Sequence, residues 1–260
     1  MNKTKQNTLT QELLNKVPQV TLLFWIIKIL STTVGETAAD FLNMNLNFGL
    51  THTSIFMGIL LICALIFQIR AKKYIPSLYW ISVVLISVVG TLITDNLTDK
   101  IGVSLISSTL IFSALLLFLF IGWYKSEKTL SMESITTKKR ELFYWAVILF
   151  TFSLGTAAGD LLAETLNVGY FWSAVIFAGT IGLVYIGYKK WGVNSVLAFW
   201  ASYILTRPLG ASMGDLLSQE KSNGGLGLGT TMTSALFLLA ILGIIIYITH
   251  NKKDKKIYAE

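Results

Sequence analysis

Residues 25–40 read WIIKILSTTVGETAAD, an apolar run that closes on two carboxylates, Glu36 and Asp40, and the same design is written four times. WISVVLISVVGTLITD (80–95), WAVILFTFSLGTAAGD (145–160) and WASYILTRPLGASMGD (200–215) obey its rule: Trp, Gly ten residues later, Asp five after that. The sets are Trp25, Gly35, Asp40; Trp80, Gly90, Asp95; Trp145, Gly155, Asp160; and Trp200, Gly210, Asp215. Each is followed by a second apolar run, so the chain is a tandem array of four two-helix units. Two spans per unit return the chain to its starting side, which makes these parallel repeats.

Working outward, the 260 residues are 53% hydrophobic and 13% charged, with a mean hydropathy of +0.64. That composition excludes a soluble domain and predicts an all-α integral membrane protein. Eight spans are expected at roughly 18–43, 51–70, 76–96, 103–124, 141–163, 170–188, 194–216 and 230–249. They divide the chain into a cytoplasmic tail (1–16), repeats 1 to 4 (17–70, 71–128, 129–190 and 191–250) and a second cytoplasmic tail (251–260). The tails and the connections after even spans hold 17 of the 21 Lys and Arg residues, while the opposite connections hold only Lys100 and Lys221. By the positive-inside rule both termini are cytoplasmic and the number of crossings is even. The net charge of +7 is then topology rather than a nucleic-acid surface, since no folded basic module accompanies it. The first residues lack the pattern of a cleaved secretory signal.

Side chains four apart share a helix face. Counting back from each Asp gives four stripes: Lys28, Thr32, Glu36, Asp40; Val83, Ser87, Thr91, Asp95; Ile148, Phe152, Thr156, Asp160; and Tyr203, Arg207, Ala211, Asp215. Met44, Asp99, Glu164 and Gln219 follow one turn on, with Asp99 and Glu164 at an outer mouth. Turned to a common axis, Glu36 and the four aspartates face only Lys28 and Arg207 as charge partners. An ionised carboxylate at mid-membrane costs roughly 2.5 to 3.5 kcal/mol, so the excess needs cations, protons or water. Carboxylates with Thr and Ser hydroxyls suit hard divalent ions better than zinc or copper, and Glu36 with Asp40 is the candidate metal pair. A plainer role stands beside this one. Gly35, Gly90, Gly155 with Gly159, and Gly210 with Gly214 belong to small-residue pairs that let helices approach, and are packing residues rather than ligands. The aspartates could equally hydrogen-bond across those contacts or accept from tryptophan indoles, and Lys28 could snorkel to the interface. The tryptophans are expected near that interface, where an indole N–H finds a partner.

Glycines 49, 102, 169 and 224 suit helix stops beyond each Asp. Pro208 should free a backbone carbonyl and create a hinge. The hydroxyl-rich starts of the even spans (51–54, 104–109, 230–234) read as caps, packing contacts or cation ligands. SNGGLGLGT (222–230) reads as a flexible outer loop suited to a gate. Cys63 is the sole cysteine and supports no disulfide. The sequence has no nucleophile with a paired base, no HExxH and no CxxC, so it is not read as an enzyme and no cofactor beyond a divalent cation is expected.

The segments KVPQVTLLFWIIKILSTTVGETAADFL, LISVVGTLITDNLTD, LGTAAGDLLAE and ILTRPLGASMGDLLS resemble a bacterial family of membrane-anchored proteins. That family has four tandem repeats, each with two transmembrane segments and a characteristic tryptophan, and its function is unknown. The resemblance spans about Val17 to His250 and implies the fold and membrane placement, with no substrate. Two function classes follow from the residues. One is a proton-coupled transporter or exporter of a small cation, with a divalent metal such as manganese as a candidate and lipid, cation and protons as partners. The alternative is a membrane scaffold or sensor whose polar core fixes helix packing.

Overall fold

A computed structural model describes residues 15–250; the tail residues 1–14 and 251–260, with Lys3, Lys5 and the final lysines, lie outside the described residues. Among the described residues the fold is eight α-helices: α1 Leu22–Asp40, α2 Gly49–Arg70, α3 Pro76–Asp95, α4 Leu105–Glu127, α5 Lys138–Asp160, α6 Tyr170–Lys190, α7 Ser195–Ser218 and α8 Thr230–His250. No strand occurs among the described residues. Local chemistry sets the starts. The Thr21 hydroxyl accepts from the Phe24 N–H, Ser104 from Ser107, Thr137 from Arg140 and Asn194 from Val196, while Pro76 opens α3.

Among the described residues seven helices are long and apolar enough to cross a membrane. The exception, α7, has 24 residues and so runs about 36 Å. Its hydropathy is lowered by Arg207, Ser212, Gly214 and Asp215, all buried in protein.

The odd helices form a closed ring in which α1 packs on α3, α3 on α5, α5 on α7 and α7 on α1. The motif glycines make this possible. Gly35 abuts Ser87, Gly90 abuts Phe152, Gly155 abuts Arg207 and Gly210 abuts Thr32. Each glycine therefore receives the residue two turns before the Asp of the next repeat, and the last repeat closes on the first. The even helices lie outside and are offset by one repeat: α2 covers α3, α4 covers α5, α6 covers α7 and α8 covers α1. Spanning windows of α1, α3 and α5 are 56–61% buried against 17–22% for the outer helices. Hydroxyls at the starts of two outer helices serve this docking: the Ser234 hydroxyl donates to Thr37 (2.7 Å), and Ser54 accepts from the Asn96 amide (2.8 Å).

Beyond the motif Asp the repeats diverge. In the first three the helix widens into one π-helical turn, Phe41–Asn45, Asn96–Lys100 and Leu161–Thr165, with Leu46, Ile101 and Leu166 donating five residues back. In the fourth, α7 stays α-helical to Ser218. The glycine-rich segment after it is no free loop. N–H groups of Leu226, Gly227, Leu228 and Gly229 donate to carbonyls of Leu216, Gln219, Leu217 and Ser218, the orphan acceptors of the helix end. Gly227 and Gly229 hold φ of 75° and 77°, which a side chain would resist.

The end of the ring holding both described termini, the tail end, is filled by rings. Each motif Trp makes an edge contact with the aromatic residue before it: Phe24–Trp25, Tyr79–Trp80, Tyr144–Trp145 and Phe199–Trp200, with centroids 5.1–5.2 Å apart. Trp80, Trp145 and Trp200 are buried, not interfacial. The Trp200 indole donates to the Leu130 carbonyl (2.8 Å), while the indoles of Trp80 and Trp145 have no partner among the described residues. None of these three therefore donates to an aspartate.

A methyl group at Gly90 would come 2.5 Å from Phe152 Cβ and 3.2 Å from backbone, whereas one at Gly159 would meet nothing nearer than 3.5 Å. Gly90→Ala should lower stability by about 1 to 3 kcal/mol through overpacking, and Gly159→Ala should leave it nearly unchanged. Thermal unfolding of the two variants in detergent checks the interlock; equal melting temperatures would contradict it.

Candidate functional site: a guanidinium among carboxylates

The four stripes turn inward. Lys28, Thr32, Val83, Ser87, Thr91, Ile148, Phe152, Thr156, Tyr203, Arg207 and Ala211 are fully buried, and Glu36 and Asp215 are 6% exposed. One turn before the aspartates the ring presents Glu36, Thr91, Thr156 and Ala211. Arg207 enters this layer from one turn below. Its Nη2 offers two N–H groups and lies within hydrogen-bond distance of Glu36 Oε2 (2.8 Å), Thr156 Oγ1 (2.6 Å) and Thr91 Oγ1. One nitrogen on α7 thus joins the other three inner helices, and the small Ala211 on α7 itself leaves the room. The rest of the guanidinium is loosely held: Nη1 reaches the Thr32 carbonyl at 3.5 Å and Nε has no partner among the described residues.

Above the guanidinium, carboxylate oxygens of Glu36, Asp160 and Asp215 lie within 4.8 Å of one another. The acids that converge are therefore not the expected pair. Asp40 lies outside this trio, since Glu36 leans across the ring toward α5 and α7 instead of along its own helix. At an effective dielectric of about 20, each pair of ionised groups this close repels by roughly 3 to 4 kcal/mol. With Arg207 counted in, the trio keeps two formal negative charges. Three carboxylates around one point can hold a hard cation, and Asp160 and Asp215 supply the oxygens that Arg207 does not use. Asp40 and Asp95 are half-buried nearer the ring's other end, the mouth, while Asp99, Glu164 and Met44 are exposed on the π-helical turns.

Lys28 makes no ion pair among the described residues. Its terminal nitrogen has no hydrogen-bond partner among them and sits 4.3 Å from the centroids of both Phe152 and Tyr203. Nor does it snorkel. Arg207, 5.6 Å from the Phe152 centroid, occupies the space beneath Glu36, and the aromatic layer closes the way to the tail end.

Sequence reasoning missed a second buried ion pair, Lys16 with Glu141 (2.8 Å), because both residues fall among the dispersed basic and polar residues that flank the spans. Lys16 belongs to the fold rather than to a tail. The aromatic residue preceding every motif Trp was a readable signal for the sealed tail end.

No curated protein and no solved structure matches the chain. A repeat family described as Repeat of Unknown Function (DUF347) matches it four times, over residues 23–74, 78–129, 143–190 and 198–254. Each match takes in one motif Trp, Gly and Asp together with the outer helix that follows, and the four cover most of the sequence, so the chain belongs to this repeat family.

Proposed function

We propose that the protein is a secondary transporter of a small hard cation, with a divalent metal such as manganese as candidate substrate, exchanged for protons across a bacterial cytoplasmic membrane. The observation that carries this reading is the seating of Arg207 against Glu36 beside Asp160 and Asp215. A tethered guanidinium occupies the place a cation would take. An incoming divalent ion matches the two formal charges Arg207 leaves uncompensated and competes with it for Glu36. Arg207 is suited to leave, since its strong contacts all run through Nη2. Pro208 beside it removes one backbone hydrogen bond from α7, which eases local bending. After release on the far side, the acids take back Arg207 or accept protons, so the unloaded ring crosses the membrane without bare carboxylates. The scaffold reading draws on the same contacts, because Arg207 ties all four inner helices together.

Transport and packing separate in the Glu36→Gln variant. In proteoliposomes the wild type should couple manganese uptake to proton movement, and Glu36→Gln should lose uptake while remaining folded. Asp95→Asn should retain most of it, since Asp95 lies outside the trio. Normal uptake by Glu36→Gln with only a lower melting temperature would replace this reading with the scaffold.

The same proposal places both termini in the cytoplasm. In a Cys63→Ser background, cysteines at Lys72, Lys138 or Lys189 should react with an impermeant thiol reagent only from the cytoplasmic side, and those at Asn45 or Asn223 only from outside. The opposite pattern would invert the topology.

A further inference from the structure

The two ends of the ring are built differently. At the mouth, Asp40, Asp95 and Asp160 are half-buried and Asp99 and Glu164 exposed. At the tail end Val17, Met132, Ile135 and Trp123 are buried with the aromatic layer. Amid this apolar seal lies a polar knot. Lys16 Nζ donates to Glu141 Oε2 (2.8 Å) and to the Ile69 carbonyl (2.9 Å). Gln68 Nε2 donates to Glu141 Oε1 and to the Lys16 carbonyl, both at 3.3 Å. The Lys16 N–H reaches the Ile135 carbonyl (3.3 Å) and the Asn15 amide the Met132 carbonyl (3.3 Å). Glu141 is fully buried and Lys16 is 7% exposed.

We propose that the Lys16–Glu141–Gln68 knot is the tail-side gate of the carrier, the contact that opens when the acid centre turns to that side. This rests on the transport reading above. The knot joins residues 15–17 and the end of α2, from the first half of the chain, to the start of α5 in the second half. Motion of one half against the other has to break it. Its chemistry fits a contact that opens. A buried ion pair holds a shut structure no better than apolar packing of the same volume. When parted, however, its groups exchange their partners for water, whereas parted apolar surfaces would not.

The test uses the full chain in vesicles with Cys63→Ser and a reporter, Val83→Cys, at a buried position in the deepest layer of the α3 stripe. An impermeant thiol reagent is applied from the tail side. Glu141→Gln keeps the shape and removes the charge, and should speed labelling about tenfold, equivalent to about 1.4 kcal/mol of lost closure. Gly35→Ala, which crowds Ser87 at the α1–α3 contact inside the first half, should not. In a second arm Lys16→Cys with Glu141→Cys is bridged by a short bis(methanethiosulfonate) reagent. Manganese uptake should stop, manganese binding from the mouth side should persist, and dithiothreitol should restore uptake. Labelling of Glu141→Gln no faster than Gly35→Ala, or full uptake by the bridged protein, would overturn the gate. Absence of uptake in the unbridged wild type would instead overturn the transport reading, and the labelling arm would still decide the knot.

Discussion

Arg207 cannot be removed from this structure without leaving something charged and dry. Its guanidinium is fully buried, and the carboxylate it meets, Glu36, has two more acids within 4.8 Å. An isolated buried cation or anion costs several kcal/mol, so each is the condition for the other's place in the ring. The same constraint explains the breakdown of fourfold regularity in this layer. Glu36 supplies the charge, Thr91 and Thr156 supply hydroxyl acceptors, and Ala211 supplies space on the helix from which the arginine rises.

The ring that holds this centre depends on close backbone approach. Each motif glycine takes the next helix's stripe residue against its backbone, and one of these is Arg207 itself, against Gly155. The glycines thus aim the stripes as well as pack the helices. The offset of the outer helices has a related consequence. Because α8 covers α1, the chain's last span completes the burial of its first, and the array closes as a cycle instead of ending in exposed repeats.

Much of this was legible in the sequence because the period is carried by residues with strong physical demands: Gly for approach and Asp for a polar interior. Helix positions, the inward stripes and Arg207 as a charge partner of the inward acids all follow from that register. What was not legible depends on contacts across the ring. Glu36 meets Asp160 and Asp215 because α5 lies across the ring from it and α7 beside it, a relation helical spacing within α1 does not contain. Lys28 reads as charged and reachable, yet the rings of Phe152 and Tyr203 enclose it. The segment 222–230 reads as loose from its glycines, yet their positive φ lets its N–H groups turn back on α7. Lys16 and Glu141 are ordinary flanking charges until four segments of chain converge on them.

The central claim is that Arg207 and the transported cation compete for one set of carboxylates. Manganese affinity of purified protein, measured by calorimetry for the wild type and for Arg207→Ala, tests it most directly. The account predicts tighter binding in Arg207→Ala, by about tenfold or more, since removing the tethered competitor frees Glu36 and adds one formal negative charge to the site. Equal or weaker binding in a folded Arg207→Ala protein would contradict it.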